Sequence, residues 1–161
     1  MIEINFKIEK REKADYQPIP EDVYQCELID VEIQEHNKYQ SEEKENVFSF
    51  TFGVVDEGEF RARRLWKNFV PTYLYVGKNG KNALYQIVEA LLRRELTPED
   101  EATLDTDVIN ELIGRQVRVL TNNKTTGDKT FTNIKSFLRT TEAKSPLVDE
   151  EKKITKDDNV Q

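Results

Sequence analysis

Residues 23–33, VYQCELIDVEI, constrain the fold more tightly than any other stretch of the chain. Side chains alternate sides along a β-strand, so Tyr24, Cys26 and Leu28 share one face. From Ile29 the apolar set changes phase, and Ile29, Val31 and Ile33 continue on the other face. A slip of one residue marks a β-bulge, which bends the strand that carries it. Strands that wrap around a small barrel need such a bend.

The same period recurs downstream. Residues 47–55 put Phe48, Phe50, Phe52 and Val54 on one side. Asp56, Glu57 and Gly58 then read as a hairpin connection, and residues 60–69 as a third strand. Residues 82–95 change period, with Leu84, Ile87, Val88, Leu91 and Leu92 on one helical face. Thr97, Pro98, Glu99 and Asp100 supply the N-cap, first-turn proline and acidic first turn of another helix. Residues 108–113 predict a further short helix, closed by Gly114. Val117 and Val119 open a fourth strand. After a turn at residues 125–128, residues 130–138 form the fifth, with either Phe131 and Phe137 or Thr132, Ile134 and Leu138 inward. Three strands, a helical insertion and a hairpin is the element order of an OB-fold. The expectation is a mainly β domain with helices, a five-stranded barrel whose helical insertion lies between strands 3 and 4. The competing architecture is an open α+β sheet with helices on one face.

The flanks differ from this body. Residues 1–8 alternate Ile2, Ile4, Phe6 and Ile8 with polar groups, a strand that needs an edge of the main sheet or a second subunit, in a homodimer, to pair with. Residues 9–20 are charged, then punctuated by Pro18 and Pro20, and read as a linker. From Glu142 the chain is charged and poor in large apolar groups, the composition of a mobile tail. The division expected is 1–19 strand and linker, 20–141 OB-fold domain and 142–161 tail. No apolar run is long enough to span a membrane and no signal-peptide block opens the chain, so a cytoplasmic setting is expected. The single Cys26 has no partner for an internal disulfide.

Charge distribution carries the functional reading. A formal net charge of -7 alone argues against a nucleic-acid partner. Yet residues 60–88 hold Arg61, Arg63, Arg64, Lys67, Lys78 and Lys81 and no acid, and residues 114–141 hold a second basic block with Asp128 as its only acid. A local field of one sign steers an anionic ligand whatever the total. Threaded among the cations are Phe60, Trp66, Phe69, Tyr73, Tyr75 and Tyr85. Cations interleaved with flat π surfaces suit an anionic, aromatic ligand, and unpaired nucleic acid is one. On the third strand one face would carry Arg61, Arg63, Leu65, Lys67 and Phe69, and the other Phe60, Ala62, Arg64, Trp66 and Asn68. The first set is the favoured phosphate-contacting face, with Phe69 able to stack a base. Trp66 either stacks a base or lies in the core.

Catalytic chemistry is not indicated. His36 lacks a paired nucleophile and reads as solvated, and Cys26 sits mid-strand among apolar residues. Gly77-Lys78-Asn79-Gly80-Lys81 lacks phosphate-loop spacing and reads as a flexible basic loop. The acid pairs read as solvated loops, and no cofactor or metal is expected.

Several stretches together resemble one group. They are Pro20-Glu21-Asp22-Val23-Tyr24 leading into Cys26-Glu27-Leu28-Ile29-Asp30-Val31, the Phe-rich second strand, and the third strand around Leu65-Trp66. Gly114-Arg115-Gln116-Val117 and Asn133-Ile134-Lys135-Ser136-Phe137 complete the pattern. The chain resembles the OB-fold single-stranded DNA-binding proteins of bacteriophages from about Pro20 to Leu138. The resemblance implies non-enzymatic binding of unpaired DNA in replication, recombination or repair, alongside replication or recombination proteins and in the cytoplasm of a bacterial host. Contact through the strand 2–3 face and the strand 4–5 loop of such a fold adds Lys124, Lys129, Phe131 and Lys135 to the site. The tail departs from the group's strongly acidic pattern, because Lys144, Lys152, Lys153 and Lys156 nearly offset its acids. The alternative function is a protein-interaction or structural module of a phage or replication complex.

Overall fold

The computed structural model describes residues 17–38 and 40–147. β1 (Val23–Asn37), β2 (Lys44–Val54) and β3 (Arg64–Pro71) form a meander. A small hairpin follows, β4 (Val76–Gly77) and β5 (Gly80–Lys81), and then the helices α1 (Ala83–Leu92), α2 (Pro98–Thr103) and α3 (Thr106–Glu111). β6 (Gln116–Thr126) and β7 (Lys129–Leu138) complete a five-stranded antiparallel sheet in the order β3-β2-β1-β6-β7. The sheet is not closed. Its outer strands β3 and β7 approach one another, but no hydrogen-bonded ladder joins them.

β1 is the middle strand, pairing β6 through its first residues and β2 along the rest of its length. The bend falls where the apolar phase changes. Leu28 faces Phe52 and Asp30 faces Thr51, which leaves Ile29 as the extra residue of a bulge. Inside lie Cys26, Leu28, Phe50, Phe52, Val54, Val117 and Val119, each fully buried, with Ile87 and Val88 of α1 packed in the same core. The helix starts follow the caps in the sequence. Asn82 accepts the Tyr85 N–H, Thr97 and Asp100 form a reciprocal capping box, and Asp105 accepts the Val108 N–H, so α3 begins earlier than residue 108.

Other boundaries move. The β2–β3 connection is no tight hairpin; it runs from residue 55 to 63, and β3 begins at Arg64 rather than Phe60. The chain is drawn aside because Val55 donates to the Gln25 carbonyl at 2.9 Å while the Asp56 carboxylate accepts the Gln25 N–H at 2.8 Å. The first two strands run beyond their apolar alternation, since β1 reaches Asn37 and β2 starts at Lys44. The expected basic loop at Gly77–Lys81 closes as the β4–β5 hairpin. The end of the expected linker is packed: Ile19 is 2% exposed, its N–H donates to Thr132 Oγ1 and its carbonyl accepts from Asn123. Residues 142–147 of the expected tail lie across the outer face of the sheet. The expected strand at residues 1–8 and the remainder of the tail fall outside the described residues.

Candidate functional site

The outward set on β3 is Arg64, Trp66 and Asn68. Leu65 is 3% exposed and faces inward opposite Phe52, and Lys67, on the same inner side, is half-buried. This corrects the favoured assignment of Arg61, Arg63, Lys67 and Phe69 to one ligand-facing row. Apolar burial of Leu65 fixes the phase, and alternation then turns Lys67 in as well. Arg61 and Arg63 precede the strand. The Arg61 guanidinium donates to the Val55 carbonyl at 2.6 Å and to the Ser145 carbonyl at 3.3 Å, and that of Arg63 donates to the Gln17 carbonyl. Arg61 thus holds main chain in place. Trp66 is 40% exposed, so of its two readings core burial is excluded.

Phe69 escapes the alternation. Between the pairs Phe48–Val70 and Phe50–Lys67, β3 carries one more residue than β2, and Phe69 takes the left-handed region at φ 58. For a bulky residue that conformation costs roughly 1–2 kcal/mol. Its effect is to leave Phe69 67% exposed beside Val70, which is 1% exposed. The Phe69 ring meets the His36 ring edge-on, with centroids 5.3 Å apart. His36, read as solvated, sits in β1 with Nε2 3.2 Å from Glu45. Ser49 donates to Asn68 Oδ1 at 2.5 Å and fixes the polar ground between Trp66 and Phe69.

Across the open side of the sheet stands the β6–β7 hairpin. Its two-residue turn places Gly127 at φ 63, a conformation that matches the twist of tightly joined strands. The β6–β7 register slips between Leu120–Ser136 and Thr121–Ile134. The slip resolves the two readings of this strand by mixing them, because Ile134 is buried and Phe137 packs with its ring 5.5 Å from that of Phe52. Phe131 is left 44% exposed opposite Lys124.

These features meet in one cleft of about 410 Å3 between the free edges of β3 and β7. Arg63, Arg64, Trp66 and Asn68 line one wall, and Phe131 and Asn133 the other. Four expected site residues from the two basic blocks are thereby brought together: Arg63, Arg64, Trp66 and Phe131. Lys124, Lys129 and Lys135 are exposed on the hairpin but do not line the cleft, and neither do Arg61, Lys67 or Phe69. Tyr73 and Tyr75 are each 60% exposed and lie elsewhere. Tyr73 borders a second cavity, and the Tyr75 ring lies so close over Gly77 that a Cβ there would stand 2.8 Å from it. Asn68 and Asn133 were not anticipated, since an isolated Asn in a strand carries no sequence signal of exposure to a cleft.

The second cavity, about 390 Å3, lies between the sheet and the helical layer. Phe48, Leu74, Leu104 and Ile109 line it together with the carboxylates of Glu101 and Asp105. Glu101 also accepts the Tyr85 hydroxyl at 2.7 Å, which raises the phenol's pKa. The strongest pairs of the helical layer lie away from the β3–β7 cleft. Lys81 Nζ stands 2.9 Å from both oxygens of the nearly buried Glu89, a bond that holds the ammonium's pKa up. Burial pushes the Cys26 thiol well above its ordinary range, the state of a packed rather than a reactive cysteine. Among the described residues no group of three or more His, Cys, Asp or Glu side chains is placed to hold a metal ion. Nor is any of the described helices long and apolar enough to cross a membrane.

No protein-family model and no curated protein matches this chain.

Proposed function

We propose that the protein binds single-stranded DNA without sequence preference, through the β3–β7 cleft and the adjoining outer face of β2 and β3. One observation carries this reading. Two cations, Arg63 and Arg64, and two exposed rings, Trp66 and Phe131, converge on a single open cleft from strands far apart in sequence. Guanidinium groups meet phosphates, and indole and phenyl faces stack bases of any identity. Asn68 and Asn133 add neutral donors and acceptors. Phe69, held outward at an energetic cost, is a second stacking surface further along β3.

The architecture we assign is an OB-type barrel left open between β3 and β7. The strand order, the bulged middle strand and the helices between the third and fourth long strands support that assignment. The role that follows is non-enzymatic, in phage-type replication, recombination or repair, in the cytoplasm of a bacterial host. Titration with oligo-dT tests it. Trp66 fluorescence is expected to be quenched, quenching to reverse with salt, and an Arg63→Gln/Arg64→Gln variant to bind more weakly with a shallower salt dependence. Unchanged fluorescence and gel mobility of the unaltered protein at low salt would sink the reading.

A second reading has its own observation. The cavity beside Leu104 and Ile109, apolar with two carboxylates, has the make-up of a site for a protein segment that is apolar and basic. It makes the protein an interaction module of a larger complex. Failure of oligo-dT binding would favour it.

A further inference from the structure

The segment that follows β7 builds a third concavity, at the β6 end of the sheet's outer face. This cleft, about 440 Å3, lies where α1 ends and β6 begins, and the segment passing over the sheet closes it with Lys144 and Pro146. Three cations line it, Arg93, Arg115 and Lys144, and no carboxylate is among its lining residues. In a chain of net charge -7 that composition is a marked local reversal.

The main chain beneath both arginines is fixed. Arg93 caps α1 in the left-handed region at φ 62, with its N–H directed to the carbonyls of Ala90 and Glu89. Arg115 donates its N–H to Leu112 at 3.0 Å, and its carbonyl accepts from Leu28 at 2.9 Å. Both arginine side chains are exposed. Lys144 is held through its backbone N–H on Gln116 Oε1 at 2.8 Å, and its ammonium pairs with Asp56. Arg93 and Arg115 are therefore two cations on anchored backbone at a concave surface.

Their position relative to the β3–β7 cleft follows from strand register. Arg64 stands opposite Gly53, Gly53 opposite Glu27, and Glu27 opposite Gln116. That row crosses four adjacent strands, so Arg64 and Gln116 are roughly 15 Å apart. The covering segment runs along the same row. Leu147 lies over Gly53, where a Cβ would meet it at 2.8 Å and Arg64 Nη1 at 3.2 Å, and Lys144 is bonded to Gln116. Arg61, bonded to the Ser145 carbonyl, lies between. Arg64, Arg61 and Lys144 thus lie along the row from β3 to the start of β6, Arg61 beside Glu57 and Lys144 paired with Asp56.

We propose that Arg93 and Arg115 form a second phosphate-binding site, which a single strand reaches by passing from the β3–β7 cleft across the covering segment. The inference rests on the reading of that cleft as a single-strand site. A strand confined to Trp66 and Phe131 does not reach Arg115, whereas a longer one does. The contribution of the second site is then a function of ligand length.

The experiment compares oligo-dT of about 4 nucleotides with oligo-dT of about 16, the range covered by one domain of this kind. Affinities are measured at several salt concentrations for the unaltered protein, Arg115→Gln and Arg93→Gln/Arg115→Gln. With the long ligand, the slope of log affinity against log salt is expected to shrink by about 0.7 for the single variant and about 1.4 for the double. With the short ligand, affinity and slope are expected to stay at the unaltered values, which also shows that the variants are folded. A Lys38→Gln/Lys78→Gln control, at two residues that line neither cleft, is expected to keep the long-ligand slope. An unchanged long-ligand slope in the double variant overturns the second site. So does an equal loss for both lengths, or the same loss in the control. If the unaltered protein binds neither ligand, the single-strand reading itself fails, an outcome distinct from these.

Discussion

The outer face of the sheet has two halves that break the usual burial rule in opposite directions. Over β1 and β6, residues 142–147 cover the surface, and the residues beneath are polar: Gln25, Gln116 and the fully buried Glu27. Leu147 reaches Gly53 near the end of β2, but over the rest of β2 and β3 no such segment lies among the described residues, and there Trp66 and Phe69 are exposed. In the covered half the two glutamines bond to one another and to the main chain of the covering segment. Gln25 Nε2 donates to Gln116 Oε1 at 2.5 Å and to the Glu142 carbonyl at 2.6 Å, and Gln116 Nε2 donates to the Lys144 carbonyl at 2.6 Å. Buried polar groups are as a rule bonded in this way. In the open half, exposed aromatics cost solvation and, at Phe69, backbone strain, against little burial. The comparison separates a half built to hold the chain from a half whose composition favours a ligand.

Gln116→Ala tests the covered half most directly and carries the largest expected effect. It removes bonds to Gln25 and to the N–H and the carbonyl of Lys144, and a loss of roughly 2–3 kcal/mol in unfolding free energy is expected. Urea denaturation reads it; an unshifted midpoint would show that the covering segment contributes nothing to the folded unit. Trp66→Ala is the counterpart in the open half. Stability is expected to move by less than about 1 kcal/mol, while oligo-dT affinity falls by roughly 1–3 kcal/mol. Equal losses in both quantities would erase the distinction between the halves.

Phe69→Gly sharpens the contrast further, because the two effects have opposite signs. Glycine relieves the left-handed strain at φ 58, so a gain of about 1 kcal/mol in stability is expected together with weaker oligo-dT binding. A destabilised variant would mean that the ring packs for structure. The smallest effect lies outside both halves, in the capping box of α2. The Arg94 guanidinium and the Thr97 N–H hold the Asp100 carboxyl well below its ordinary value. A depressed folded-state pKa stabilises above the unfolded value, about 3.9, and that contribution fades as pH falls below it. Asp100→Asn is therefore expected to flatten the decline of the urea midpoint below about pH 4 and to change little at its acid end. A decline as steep as that of the unaltered protein would remove Asp100 from the acid response.

Much of the fold was legible because its signals are local. The phase change at Ile29 announced the bulge of β1, the Phe48–Phe50–Phe52 row announced the buried face of β2, and Asn82 and Thr97 announced helix starts. The candidate site was legible in composition but not in orientation. Neither face of residues 60–69 is wholly apolar, so the sequence leaves two equivalent phases, and the one that buries Leu65 exposes Trp66 and turns Lys67 inward. The left-handed backbone at Phe69 could not be read, because nothing about Phe followed by Val and Pro signals it. The covering segment was equally silent, since its charged composition is that of a tail and its bonds are made to glutamines more than twenty residues away.

The sequence by itself determined the order of the long strands and helices, where β1 bends, and that cations and aromatic rings are concentrated in two blocks. Periodicity, caps and composition act over a few residues, and the chain needs no distant partner to express them. Only the tertiary structure decided that Arg63, Arg64 and Trp66 meet Phe131, that Arg61 is tied to main chain, and that one half of the outer face is covered. Those outcomes depend on β3 and β7 being drawn to opposite sides of one opening, and on which side chains the common core excludes. Each is set by packing between segments tens of residues apart, which no local pattern encodes.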